Sequence, residues 1–248
     1  MFGRLRKSGK LVALFALFAV ILTIPTELWS QADPALEQGL RLLEEGRTTL
    51  SDATLAQARD YFAKLTQQHA DNAGYFYQLA RVDQYRCEAY LQRGDKKNAE
   101  RALDGAIADV QQSIKLKDES ADAHSLLADL YGQKIGMGVA MFTGPKFGPK
   151  VKAENERAMA LDAKNPRVYA SLGRQYYMAP KMFGGDNDKA IESFRKSVEL
   201  DPQFDETYVW LAMALRKKSD GAGADQALQT ALKLNPQSMF AQTTAAKK

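Results

Sequence analysis

The chain has 248 residues, with 34 Lys+Arg against 30 Asp+Glu, two histidines and one cysteine. A surplus of four bases excludes the broad basic face that nucleic-acid binding requires. A single thiol excludes an internal disulfide framework, so packing alone must hold the fold.

Residues 1–32 read as a leader. Arg4, Arg6, Lys7 and Lys10 precede the apolar run LVALFALFAVILTIP, and Ser30 and Ala32 flank Gln31. A basic start, a short apolar core and a small-x-small exit describe a secretory signal peptide, cut after Ala32. The alternative is an uncleaved anchor formed by residues 11–25, although this run is shorter than the roughly twenty apolar residues of a spanning helix. The leader carries four of the bases and one acid, Glu27, which leaves 30 bases against 29 acids beyond it. The expected location is outside the cytoplasm, in the periplasm.

From residue 33 onward the apolar residues recur at helical spacing. ALEQGLRLLEEG and ARDYFAKL (Ala58, Phe62, Leu65) form a first helical pair. YFYQLARVDQY follows with Phe76, Leu79 and Ala80, then Ala106, Val110 and Ser113. Cys87, on this stretch, reads as a small buried side chain. AHSLLADLY supplies His124, Leu127, Ala128 and Tyr131, answered by Ala158 and Leu161. RVYASLGRQYY gives Tyr169, Leu172, Gly173 and Tyr176, then Ala190, Phe194 and Ser197. ETYVWLAMAL gives Tyr208, Leu211, Ala212 and Leu215, then Ala224, Leu228, Ala231 and Pro236. Residues 33–236 are thus one repeat domain, and 237–248 a capping segment and tail. Small residues recur where helices must approach, and no single pair buries its apolar face without a neighbour.

On these residues the chain resembles the tetratricopeptide repeat (TPR) family, most closely in the last two units. The insertion phrases described next also look like those of exported bacterial TPR proteins. The resemblance implies an all-α, TPR-type α-solenoid of about five antiparallel helix pairs. It also implies a concave face lined by the first helix of each pair. By position that lining includes Tyr77, Arg81, Gln84, Tyr85, Asp129, Gln133, Arg167, Arg174, Tyr177, Arg216 and Lys217. Tyr and Arg are enriched at the energetic centres of interfaces, and Arg grips carboxylates bidentately. Such a face is either a solvated surface or a groove for an acidic extended or helical peptide. The Lys/Asn arrangement that clamps C-terminal carboxylates in some TPR grooves is not matched.

Two units are longer than the pattern. PKFG at Pro145–Gly148 and PKMFGG at Pro180–Gly185 sit at the same turn of adjacent repeats and should be neighbours in space. One reading is structural: Pro145 and Pro180 end helices, the glycines permit the turn, Asp186 caps the next helix, and Phe147 and Phe183 tuck underneath. The other is a binding ridge in which Lys146, Phe147, Lys181 and Phe183 hold an acidic or aromatic partner segment. Met137, Met141, Met178 and Met182 suggest a thioether metal site, but Met also fills gaps in cores. No metal or other cofactor is expected. His69 and His124 read as surface or packing residues, and FGGDNDK lacks the phosphate-loop spacing, so the chain is not expected to be an enzyme. The expected partner is a protein. An accessory of a solute transporter that binds a small apolar acid is the alternative. Its sign would be a lined cavity containing Arg174 or Arg81.

Overall fold

The computed structural model describes residues 33–247; the leader expected over 1–32 lies outside the described residues. Among the described residues there are eleven α-helices and no strand. They are α1 (Pro34–Thr49), α2 (Asp52–Gln68), α3 (Ala73–Gln92), α4 (Lys96–Leu116), α5 (Ala121–Met137), α6 (Ala140–Leu161), α7 (Pro166–Met178), α8 (Asn187–Leu200), α9 (Asp205–Lys217), α10 (Gly221–Leu234) and α11 (Met239–Ala246). A short 3-10 turn, Lys181–Phe183, separates α7 from α8.

Local chemistry fixes most boundaries. Asp33, Ser51, Asn72, Asp95, Ser120, Asn165, Asp186, Asp220 and Ser238 each accept a hydrogen bond from the first turn of the helix they precede. Such caps satisfy backbone donors that a helix start leaves unpaired. Short connections then fold consecutive helices back as α1/α2, α3/α4, α5/α6, α7/α8 and α9/α10, with α11 against α9 and α10.

Within a pair, a small residue on one helix admits a ring from the other. A Cβ on Gly39 would fall 2.4 Å from the Phe62 ring, and one on Gly173 would fall 2.4 Å from Phe194. Both rings are fully buried. A Gly173→Val substitution is therefore expected to cost about 1–3 kcal/mol through overpacking, measurable as a lower midpoint in urea. Hydroxyls also tie helices within pairs: Ser113 Oγ of α4 donates to the Ala73 carbonyl of α3 and Ser197 Oγ of α8 to the Pro166 carbonyl of α7, both at 2.8 Å.

The two repeated phrases part company. PKMFGG is a corner: α7 stops at Met178, Gly184 adopts φ +87°, and Asp186 caps α8. A Cβ on Gly185 would fall 1.8 Å from the Ala179 carbonyl oxygen, so the corner requires glycine there. PKFG is not a corner. Pro145 does not end a helix; Pro145 and Pro149 both lie inside α6, and the extra residues become its opening turns. Gly144 and Gly148 precede them, and a residue without Cβ escapes the clash that normally bars the helical region before proline. The two phenylalanines differ as well. Phe147 packs on the Tyr131 ring, 5.6 Å between centroids. Phe183 does not tuck under its turn; it is 59% exposed. Phe147→Ala is expected to cost about 1–2 kcal/mol, less than a full core truncation, and Phe183→Ala no more than about 0.5 kcal/mol, by thermal melting of the two variants.

The solenoid also closes on itself. Arg47, in the last turn of α1, donates to Asp205 at 3.2 Å and to Glu206 at 3.0 Å, both on α9. Asn235, after α10, donates to Thr48 Oγ1 at 3.1 Å and to Asp205 at 2.9 Å. The first repeat therefore meets the last, and the concave face becomes the wall of a ring.

Candidate functional site

The ring encloses a cavity of about 1270 Å³. The odd-numbered helices line it, and their common direction sorts the lining into levels. Tyr77, Asp122, Arg167 and Phe204 lie at or before the N-terminal ends of these helices. Arg81, Tyr85, Asp129 and Arg174 form a polar belt, joined from the N-terminal end of α9 by Glu206. Leu91, Met137, Met178 and Phe183 lie at the other end, joined by Gly144, Pro145, Gly148 and Pro149 of α6. The four-residue spacing of the Gly-Pro steps puts them on one face of α6, and that face is turned to the cavity.

Most charges in the belt are spoken for. Arg174 Nε donates to Asp129 at 3.0 Å, a second guanidinium nitrogen binds the other Asp129 oxygen, and Ser171 Oγ adds a bond of 2.8 Å. Arg167 lies over the Phe204 ring, 5.1 Å from its centroid, near Asp122. Tyr85 donates its hydroxyl to Glu206 at 3.0 Å. Burial pushes the Glu206 carboxyl up, but Arg47, the Tyr85 hydroxyl and Arg174 outweigh this and hold it below the usual carboxylate range. At Glu88 the attraction of Arg174 and Arg47 is outweighed. Burial, with repulsion from Glu206, pushes its carboxyl up to about 8, and Gln133 Nε2 donates to it across a long 3.5 Å. Arg81 is the counterpart. It hydrogen-bonds Gln78 at 3.0 Å, lies over the Tyr77 ring at 5.9 Å, and has no carboxylate in ion-pair range among the described residues.

The sequence-derived set is distributed as follows. Tyr77, Arg81, Gln84, Tyr85, Asp129, Gln133, Arg167 and Arg174 line the same cavity. Tyr177, Arg216 and Lys217 do not. Tyr177 packs edge-on against Trp210 and lies under the Lys217 ammonium, 4.7 Å from the ring centroid. Arg216 donates to the Thr244 and Lys247 carbonyls at 2.7 and 3.0 Å, fastening the end of α11. Of the ridge residues, Phe183 borders the cavity, Lys181 is exposed at the corner, and Lys146 and Phe147 face away, with the Lys146 ammonium 5.1 Å from the Phe147 centroid. Met137 turns into the core, its sulfur 3.8 Å from Cys87 Sγ. Cys87 is fully buried, which pushes its thiol up to about 12. His124 is also buried, held by Glu154 at 2.6 Å and by the Asp118 carbonyl at 3.1 Å.

Glu88, Glu206, Trp210 and Phe240 also line the cavity and were not singled out by the sequence. For Glu206 a signal existed: it stands six residues before Ala212, as Asp122 and Arg167 stand before Ala128 and Gly173. Even use of the repeat register finds it. The fold's own register places Trp210 likewise, beside Phe194 and Phe240.

Residues 36–247 match the family model of regulator of microtubule dynamics proteins 1-3. The chain belongs to this family. No curated protein matches it in sequence. Among solved structures it is similar to a thermophilic TPR protein of Thermus thermophilus, at 17% identity and TM-score 0.64, over 86% of this chain and 96% of that one. That likeness establishes the fold as a TPR solenoid. YrrB, described as a TPR protein with an unusual peptide-binding site, aligns over 88% of this chain and 92% of its own at 16% identity and TM-score 0.41. MamA aligns over 82% and 93% at 19% identity and TM-score 0.39. A superposition at that level does not bear on the site.

Proposed function

We propose that the chain is an exported TPR scaffold that holds a segment of a partner protein inside its ring. The observation that carries this is the cavity: its volume of about 1270 Å³ exceeds the roughly 300–1,000 Å³ of ordinary small-molecule pockets. Its apolar end suits side chains of an entering segment, and Arg81 offers an acidic residue of that segment a guanidinium with no competing carboxylate. The family's name concerns microtubules, a protein target, and favours binding over catalysis. Export rests on the basic, apolar and small-residue order of residues 1–32.

The test places a photo-crosslinking side chain at Gln84, inside the cavity, and at Arg101, on the outer surface. Protein adducts specific to position 84, cut at least about tenfold by Arg81→Glu (roughly 1.4 kcal/mol) without a change in melting, are the expected result. Equal adducts from both positions would remove the cavity from the mechanism. A second reading is favoured by the enclosure of Arg81 within the closed ring: a small apolar acid occupies the cavity. Thermal-shift titration with medium-chain carboxylic acids separates the two, since only this reading expects a rise in melting temperature that Arg81→Glu abolishes.

A further inference from the structure

Exposed large apolar side chains are concentrated at one end of the molecule. Val139, Met141 and Phe142 open α6, and Met178, Met182 and Phe183 form the corner after α7. Met141 is 77%, Phe142 74% and Met182 83% exposed. Both segments border the cavity mouth, through Gly144 and Pro145 on one side and Met178 and Phe183 on the other. Large apolar side chains left in water on two segments of one cavity rim mark a contact site.

Charge narrows what it contacts. No Asp or Glu occurs between Asp129 and Glu154, or between Asp162 and Asp186. Lys146, Lys150 and Lys181 stand exposed within these stretches. None of the three has a carboxylate partner among the described residues. The composition is Phe, Met and Val tips with lysines at their sides. Phe and Met are enriched at protein interfaces too, but Lys is depleted there, so the three unpaired lysines are what set this rim apart. Apolar tips with flanking lysines fit the boundary of a bilayer, where the tips enter the acyl region and the ammonium groups meet anionic headgroups. No helix among the described residues is long and apolar enough to cross a membrane, so the contact lies in the surface plane.

We propose that this rim docks the ring, mouth first, on an anionic membrane surface. The proposal is independent of what the cavity holds.

The test uses the full chain with an environment-sensitive dye on Phe142→Cys, and on Gln226→Cys of α10 as the control. Cys87 is buried and stays unlabelled. A leader-driven association acts on both labelled proteins alike, so the comparison is local. Vesicles of phosphatidylcholine, with or without phosphatidylglycerol, are added. The expected result is a several-fold, blue-shifted rise at 142 with the anionic vesicles, little at 226, and loss of the response in high salt or in Lys146→Glu/Lys181→Glu. No response at 142, or equal responses at both positions, overturns the proposal. A response with neutral vesicles that survives charge reversal overturns its anionic part. A response to added envelope protein and none to vesicles assigns the rim to a protein instead, and also overturns it.

Discussion

Arg47→Ala is expected to lower stability by about 3–5 kcal/mol, the usual effect of removing one partner from a buried ion pair. The Arg47 side chain is 10% exposed, between Asp205 and Glu206. Without it two enclosed carboxylates, adjacent on α9, lose their shared counter-charge, and α1 loses its grip on α9. The denaturation midpoint should fall, and the radius of gyration in solution should rise as the ring opens. Arg47→Lys keeps the charge but not the fork, whose Nη1 reaches Asp205 and Glu206 while Nε and Nη2 bind Glu44, so it should recover only part of the loss. An unchanged midpoint and radius for Arg47→Ala would mean that the seam does not hold the ring shut.

Glu88→Gln is expected to stabilise the protein at alkaline pH and to remove part of its pH dependence. The folded-state value of about 8 lies above the ordinary 4.5 of this side chain. Between these limits the unfolded chain releases the Glu88 proton and the folded chain keeps it. Stability therefore falls as pH rises through this window, with a slope approaching about 1.4 kcal/mol per unit, and levels off above pH 8. Gln carries no charge to bury, so the difference between variant and wild type should grow from pH 5 to pH 8. Urea melts at several pH values measure it; parallel curves for the two proteins would show that Glu88 ionises freely in the cavity.

The repeat architecture was legible because each unit spells it locally. A small residue such as Gly173, a ring such as Phe194 and a capping Asn or Asp set each pair without reference to the rest of the chain. The cavity wall was partly legible for the same reason: Arg81, Asp129 and Arg174 follow from their place on the first helix of a unit. The seam was not. Arg47 reads as a surface charge beside Glu44 and Glu45, and only the accumulated superhelical turn of four further units brings Asp205 to it. Tyr177 lies off the cavity because Trp210 of the following repeat packs against it, and Arg216 because α11 covers the last repeat, which changes what a concave position faces. PKFG was misread because proline usually stops a helix, and the glycines that let this one continue also spell a turn.

Ring closure changes how such a chain assembles. An open repeat array is stabilised by neighbours alone and grows from any point along its length. Here the Arg47–Asp205 bond spans 158 residues of sequence, so its loop-closure entropy is met only after the intervening units have set their curvature. During synthesis the first repeat is complete long before α9 exists, and it waits with its half of the seam in water. The last step of folding is then the joining of two preformed ends. A chain truncated before residue 205 should retain its helices yet behave as an open arc, without an enclosed interior.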